Sequence, residues 1–290
     1  MSEPAPLCPV CADPRWSIVY PDELGGEPPT VDYAFSPRTR LTYRIVECET
    51  CSHRFVHPLP ELQELYEENE DVTYIRSEPQ RRRSARTWLR FVRHYAPEAK
   101  SLIDIGCATG FFLDEARKEM RVEGVELSRW AADLAAVRHQ VHRQPVSRLR
   151  LESRFDTATM WGVIEHLVDP RHELAAVHSL LEPGGMLFVY TGDRSALIPR
   201  LLGKKWWWYQ GMHIQYFSRS TLSRLLNDSG FSVVAVRNLP IYFSLASLGQ
   251  SLNRYSLAKP LVRVLKSFPA AGHLVRITLS GEMVIVARRN

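Results

Sequence analysis

The sequence predicts an α/β fold, a mostly parallel sheet with helices on both faces, preceded by a small metal-bound unit. Three observations predict it. Short apolar runs at 101–105, 122–126, 155–161 and 181–190 alternate with stretches whose apolar residues recur at helical spacing. The first run breaks at Gly106 and Gly110 and passes into Phe111, Phe112, Leu113 and Ala116, the pattern of buried strand, tight turn and helix. Ahead of it, four of the five cysteines fall in two pairs, Cys8-Pro-Val-Cys11 and Cys48-Glu-Thr-Cys51.

The cysteine pairs come first in the chain. Two Cys-x-x-Cys units supply four thiolates for a tetrahedral ion, and in a reducing compartment they read as a zinc site rather than as disulfides. Four ligands close the shell, so Cys8, Cys11, Cys48 and Cys51 are expected to hold a structural Zn2+ in a zinc ribbon spanning residues 1–59. The Pro/Gly-rich stretch 21–29 supplies an extended loop, and the alternating run 41–46 supplies a strand. His53 and His57 are spare donors next to a complete shell and are expected at the surface. After Pro58 and Pro60, the residues Glu61, Leu62, Glu64, Leu65, Tyr66, Glu67 and Glu68 predict a linker helix within 60–78. A basic helix over 80–95 follows, with Trp88, Leu89, Phe91 and Val92 on its apolar side and Arg81, Arg82 and Arg83 on a solvated face.

The corner Asp104-Ile-Gly106-Cys107-Ala108-Thr109-Gly110 lacks the Gly-x-Gly-x-x-Gly spacing of dinucleotide sites. Its glycines allow a sharp turn and close approach of a ligand, and the run 122–126 ends in Glu126, where such folds place a carboxylate on ribose hydroxyls. The run 155–161 leads into Gly162-Val-Ile-Glu165-His166-Leu-Val-Asp-Pro170, and 181–190 reads as helix end, turn and strand. Asp-x-Gly-x-Ala-x-Gly resembles the first motif of class I S-adenosylmethionine-dependent methyltransferases, with Ala108 in place of the middle glycine, and the later segments resemble that core in order. The resemblance implies a Rossmann-like seven-stranded sheet with helices on both faces over 79–290. It implies S-adenosylmethionine bound by Asp104, Gly106, Cys107, Gly110, Glu126, Leu127, Trp161 and Gly162, with Tyr74 closing over it. The cysteine pairs, the Glu165-His166-Leu-x-x-Pro170 segment and His213-x-x-x-Phe217-Ser218 together resemble bacterial methyltransferases with an N-terminal zinc ribbon, which typically serve polysaccharide, glycolipid or secondary-metabolite pathways.

Residues 193–217 read as an insertion carrying Trp206-Trp207-Trp208-Tyr209. Consecutive residues cannot all face one core, so some of these rings are expected on a pocket, another domain or a membrane surface. His213 and His166 are the candidates for a base acting on an acceptor hydroxyl, His166 having the alternative of capping the next helix. The segment 142–145 has no assigned contact. A helix over 220–228 stopped by Gly230, a strand over 231–236 and a last strand over 282–287 complete the core. Between them, 239–279 carries Leu261, Val264, Leu265 and Phe268 at helical spacing and reads as a helical cover with possible peripheral membrane contact.

Composition sets the outer limits. Hydrophobic residues make up 45% and charged residues 24%, enough to bury a sizeable core, and the formal net charge is +5. That charge tolerates an anionic partner without demanding one, and its spread outside the ribbon argues against nucleic acid. The first residues lack a basic then apolar signal pattern, and a cytoplasmic location is the expectation. The expected reaction is methyl transfer to a small-molecule, sugar, glycan or lipid-linked acceptor, at oxygen. The alternatives are an RNA base methyltransferase and a non-catalytic cofactor-binding partner protein.

Overall fold

A computed structural model describes residues 7–29, 37–252 and 273–290. The ribbon contributes β1 (Trp16–Tyr20), β2 (Ile45–Cys48) and β3 (Arg54–Val56). The cysteines sit on two matched turns. Ala12 N donates to Cys8 O and Ser52 N to Cys48 O, at 2.8 and 2.9 Å, while Cys8 N and Cys48 N are held by Asp13 O and His53 O at 3.0 and 2.9 Å. The acidic stretch forms two short helices, α1 (Gln63–Glu67) and α2 (Val72–Arg76), rather than one. Asp71 caps α2 by accepting from Tyr74 N, a role that competes with continuing α1 through the polar residues before it. Helix α3 (Glu78–Tyr95) then runs onto the core, with Pro79 in its first turn.

The core alternates strand and helix: β4 (Ser101–Ile105), α4 (Phe111–Ala116), β5 (Arg121–Val125), α5 (Arg129–Ala136), β6 (Gln140–His142), β7 (Phe155–Trp161), α6 (Pro170–Leu180) and β8 (Leu181–Gly192). Helix α7 (Leu197–Leu202), β9 (Gln215–Tyr216), α8 (Arg219–Asp228), β10 (Phe231–Arg237), β11 (Pro240–Ser244), α9 (Leu245–Leu252), β12 (Leu274–Thr278) and β13 (Glu282–Arg289) follow. Seven strands form one sheet in the order β10-β13-β8-β7-β4-β5-β6. The pairs from β8 to β6 are parallel, and β13 lies antiparallel between β8 and β10. Alternate residues of a strand face opposite sides, and Leu102 and Ile103 accordingly enter different cores. Ile103, Met160, Leu187 and Ile285 pack with Leu174 and Val177 of α6 and with Leu222 and Leu225 of α8. Leu102, Phe188 and Val284 pack with Leu89 and Val92 of α3 and with Phe112 and Leu113 of α4.

Strand order reverses between β4 and β7. Open α/β sheets place ligands outside the carboxyl ends of strands at such a point. The insertion closes over this end, because β9 pairs antiparallel with β3 and makes the ribbon a four-stranded sheet, β1-β2-β3-β9. All three tryptophans of the insertion pack inward, with Tyr209, Ile214 and Tyr216, against Ile45 and Val56 of the ribbon. The tight turn at 206–209 and the packing of a second sheet on this side admit three consecutive rings, which a single helix or strand face could not. Residues 240–244 and 274–278, placed by pattern in a helical cover, instead pair as the antiparallel β11–β12 ribbon. Their β-branched and aromatic residues, Ile241, Tyr242, Phe243, Val275 and Ile277, suit a pleated surface. Leu261, Val264, Leu265 and Phe268 lie outside the described residues. Among the described residues no helix is long and apolar enough to cross a membrane.

Candidate active site

The first half of the site is the turn after β4. Gly106 has φ +71°, a region open to glycine, and an added Cβ would lie 2.5 Å from a Val163 methyl carbon. Ala108 has φ +48°, so the residue in place of the usual glycine keeps the left-handed backbone. The loop is held to β5 by Gly106 N and Cys107 N on Val125 O, at 2.7 and 3.0 Å. Glu126 closes it, accepting from Ala108 N at 2.8 Å and from Ser128 N at 2.9 Å. Each carboxylate oxygen retains acceptor capacity beyond those two bonds. Asp104 is buried and accepts from the Thr159 hydroxyl at 2.6 Å. Burial, with a smaller contribution from the neighbouring Glu126, pushes its carboxyl up to about 7. Glu126 is likewise raised, chiefly by burial.

Tyr74 covers this corner from α2. Its ring lies parallel to that of Phe111, 5.8 Å away, and the Arg81 guanidinium sits 3.6 Å from the Tyr74 ring centre. Burial raises its phenol, the Arg81 guanidinium opposes the rise, and the charges of Asp104 and Glu126 add to it. Trp161 ends β7 with its ring against Trp88 and Phe112. Its Nε1 and the Thr109 hydroxyl are buried without a hydrogen-bond partner among the described residues. Leu127 lines a cleft of about 280 Å³ with Glu67, Arg129, Arg143, Pro145 and Arg148. His142, whose segment had no assigned contact, bonds Glu123 at 2.8 Å, and its carbonyl accepts from Glu126 N.

The second half lies beyond Gly162 and brings the two candidate bases together. The rings of His166 and His213 are 4.8 Å apart and edge to face. His166 Nδ1 donates to Met212 O at 2.9 Å beside the Tyr66 hydroxyl, and His213 Nδ1 donates to Trp208 O at 2.7 Å. A carbonyl can only accept, so each neutral ring carries its proton on Nδ1 and keeps a lone pair on Nε2. Burial lowers both imidazoles, His166 to about 4 and His213 well below the usual value. His166 does not cap the next helix, because Asp169 accepts from His172 N there. Glu165 joins the pair, with Oε2 accepting from the Thr191 hydroxyl at 2.9 Å, and burial raises it to about 8. Behind them the Glu282 carboxylate takes the Trp207 indole N–H at 2.8 Å and the Tyr190 hydroxyl. Gly192 allows this packing, since a Cβ there would be 2.6 Å from the Trp208 ring.

A sequence family described as a methyltransferase domain matches residues 77–236, more than half of the chain. The chain belongs to that methyltransferase family. Ubiquinone biosynthesis O-methyltransferase of Albidiferax ferrireducens is 30% identical over 119 residues, covering 37% of this chain and 47% of that protein. The Ralstonia nicotianae protein of the same name is 33% identical over 119 residues, covering 37% of this chain and 50% of its own length. The chain thus spans about half the length of the relatives it matches. Among solved structures, a Burkholderia thailandensis 1,6-didemethyltoxoflavin-N1-methyltransferase superposes with TM-score 0.50 at 19% identity, over 83% of this chain and 97% of the other. A chain of the complex between the Haloferax volcanii Trm112 methyltransferase activator and a methyltransferase gives 0.51 at 14% identity, over 73% and 92%. These two establish the methyltransferase fold.

Within this methyltransferase fold the residues expected from the corner, Asp104, Gly106, Cys107, Gly110, Glu126, Trp161 and Gly162, all lie at the carboxyl ends of β4, β5 and β7. The four cysteines converge, with Cys8 and Cys51 sulfurs 3.6 Å apart and Cys11 and Cys48 sulfurs 3.5 Å apart. His53 is fully buried rather than at the surface, its Nε2 bonded to Gln215 at 2.9 Å. Glu165, Thr191 and Glu282 were missed as site residues. Glu165 adjoins His166 in the quoted motif, and that adjacency was the available signal; Thr191 and Glu282 come from strands whose pairing is set only by the fold.

Proposed function

We propose that the protein transfers a methyl group from S-adenosylmethionine to a hydroxyl of a small-molecule, sugar, glycan or lipid-linked acceptor. S-adenosylmethionine supplies a methyl group on a sulfonium, already activated for displacement. The residues at the corner suit such a ligand. Asp104, which is buried, and Glu126, which is half-buried, are neighbouring acids with no cationic partner among the described residues, ready for a ligand that carries an ammonium, a sulfonium and ribose hydroxyl donors. Thr109 Oγ1 and Trp161 Nε1 are the unfilled polar groups of the same wall.

Transfer from a sulfonium needs alignment and exclusion of water more than it needs bond polarisation. A run of packed rings, Phe112, Trp161, Trp88, Tyr190 and Trp208, leads from the corner to His213. The acceptor hydroxyl loses its proton at the His166–His213 pair, whose free Nε2 lone pairs suit that role. The single observation carrying the proposal is the meeting of the two candidate bases beside Gly162, at the strand end next to the cofactor corner. The name of the relatives, ubiquinone biosynthesis O-methyltransferase, supports oxygen as the target. His213→Ala is expected to lower turnover on an oxygen acceptor by about 10² to 10⁴ while leaving cofactor affinity nearly unchanged. Equal loss of cofactor binding, or full turnover, would reduce His213 to a packing residue.

The four cysteines are proposed to hold Zn2+. Zn–S bonds of about 2.3 Å in a tetrahedron set sulfurs about 3.8 Å apart, close to the observed pairs. The ion's part is structural, since no ligand position stays open.

A further inference from the structure

Three groups able to ligate a metal converge in the acceptor cleft. His166 and His213 each use Nδ1 on a backbone carbonyl, and neither Nε2 takes a hydrogen bond among the described residues. With Glu165 they form a cluster in which one ligating atom from each of the three residues lies within 4.8 Å of the others. None of the three pairs with a lysine or arginine among the described residues. Converging acceptors of this kind repel one another unless a proton or a cation lies between them.

We propose that Glu165, His166 and His213 bind a divalent cation of the zinc type, a second metal site separate from the four cysteines. Two imidazoles and one carboxylate leave coordination positions open, which marks a catalytic donor set rather than a closed structural one. The outer partners are those a metal site requires. Carbonyls of Met212 and Trp208 fix both tautomers, and the Thr191 hydroxyl orients the carboxylate. Ligand atoms about 2.1 Å from a tetrahedral ion stand about 3.4 Å apart, so the three side chains need to close by about an ångström.

This inference rests on reading the cleft as the acceptor site. The cation, held by Glu165, His166 and His213, would supply a bound hydroxide as the proton acceptor, taking the place of the free Nε2 lone pairs. The acceptor oxygen then forms its bond to the methyl carbon as the carbon–sulfur bond breaks, and that electron pair stays on sulfur as a neutral thioether.

The test uses the full chain saturated with zinc alone, passed through gel filtration and analysed for metal. Wild type is expected to retain one zinc more per chain than Glu165→Gln or His213→Ala. Glu165→Gln keeps side-chain shape and the Thr191 contact, so a fold defect in the histidine variant does not leave the question open. With cobalt in place of zinc, the thiolate-to-metal band of the ribbon should persist in both variants, while the ligand-field band of the nitrogen and oxygen site is lost. Equal zinc in all three proteins overturns the cation. Equal zinc with turnover lost in His213→Ala overturns it while leaving the methyl-transfer reading intact. The extra zinc in a chain that fails to bind S-adenosylmethionine sustains the cation and overturns that reading instead.

Discussion

Gln215→Met should loosen the loop that carries His213 from the ribbon side. Gln215 is fully buried, with Oε1 accepting from His53 Nε2 at 2.9 Å and Nε2 donating to Leu167 O at 3.1 Å. Methionine fills a similar volume but leaves two buried groups unpaired, at about 1–3 kcal/mol each, so the loss is about 2–6 kcal/mol. His53 has no second bond to compensate, since its Nδ1 is already a buried acceptor without a partner among the described residues. The strain falls on a narrow clamp. Next to Gln215, Ile214 accepts from Val56 N and donates to Glu165 O, each at 2.9 Å, joining ribbon, loop and core through one residue. Hydrogen exchange followed by mass spectrometry should show amides 213–216 and Val56 exchanging at least about tenfold faster, with turnover reduced and S-adenosylmethionine affinity within about twofold of wild type. Faster exchange confined to the cysteine turns, with turnover unchanged, would refute the claim that the ribbon positions the acceptor loop.

Two further perturbations address the cofactor corner. Glu126→Ala should weaken S-adenosylmethionine binding by about 1–3 kcal/mol in calorimetry, the range for losing a charged hydrogen-bond partner, and unchanged affinity would remove Glu126 from the site. Asp104→Asn should raise thermal stability at pH 8 and not at pH 4. An acid raised from 3.8 to about 7 by burial costs nothing below its unfolded value and most above the folded one, so wild type loses stability as pH rises through that window while the amide does not. The charge of Glu126 adds to this effect, and the gain should be a few kcal/mol at most. Parallel melting curves for the two proteins across this range would contradict the assignment.

Local pattern carried much of the fold because most of its elements announce themselves locally. The run at β4 and the Gly106 to Gly110 turn needed only a strand period and two glycines to be recognised. The pairing of β3 with β9 joins residues about 160 positions apart, and no local pattern reports it. His53 shows the consequence: as a spare donor beside a filled metal shell it reads as a surface residue, yet its partner Gln215 arrives from the insertion and buries it. The same holds for the three tryptophans, whose inward packing depends on a second sheet closing over them. His166 and His213 were legible as separate candidates. Their meeting with Glu165 was not, because it depends on Ile214 N binding Glu165 O across the top of the sheet.

Calorimetric titration of the purified chain with S-adenosylmethionine tests the central claim most directly. The account predicts one molecule bound per chain, with affinity lowered in Glu126→Ala and retained in His213→Ala. Absence of binding heat at saturating concentrations, confirmed by equilibrium dialysis, would contradict it.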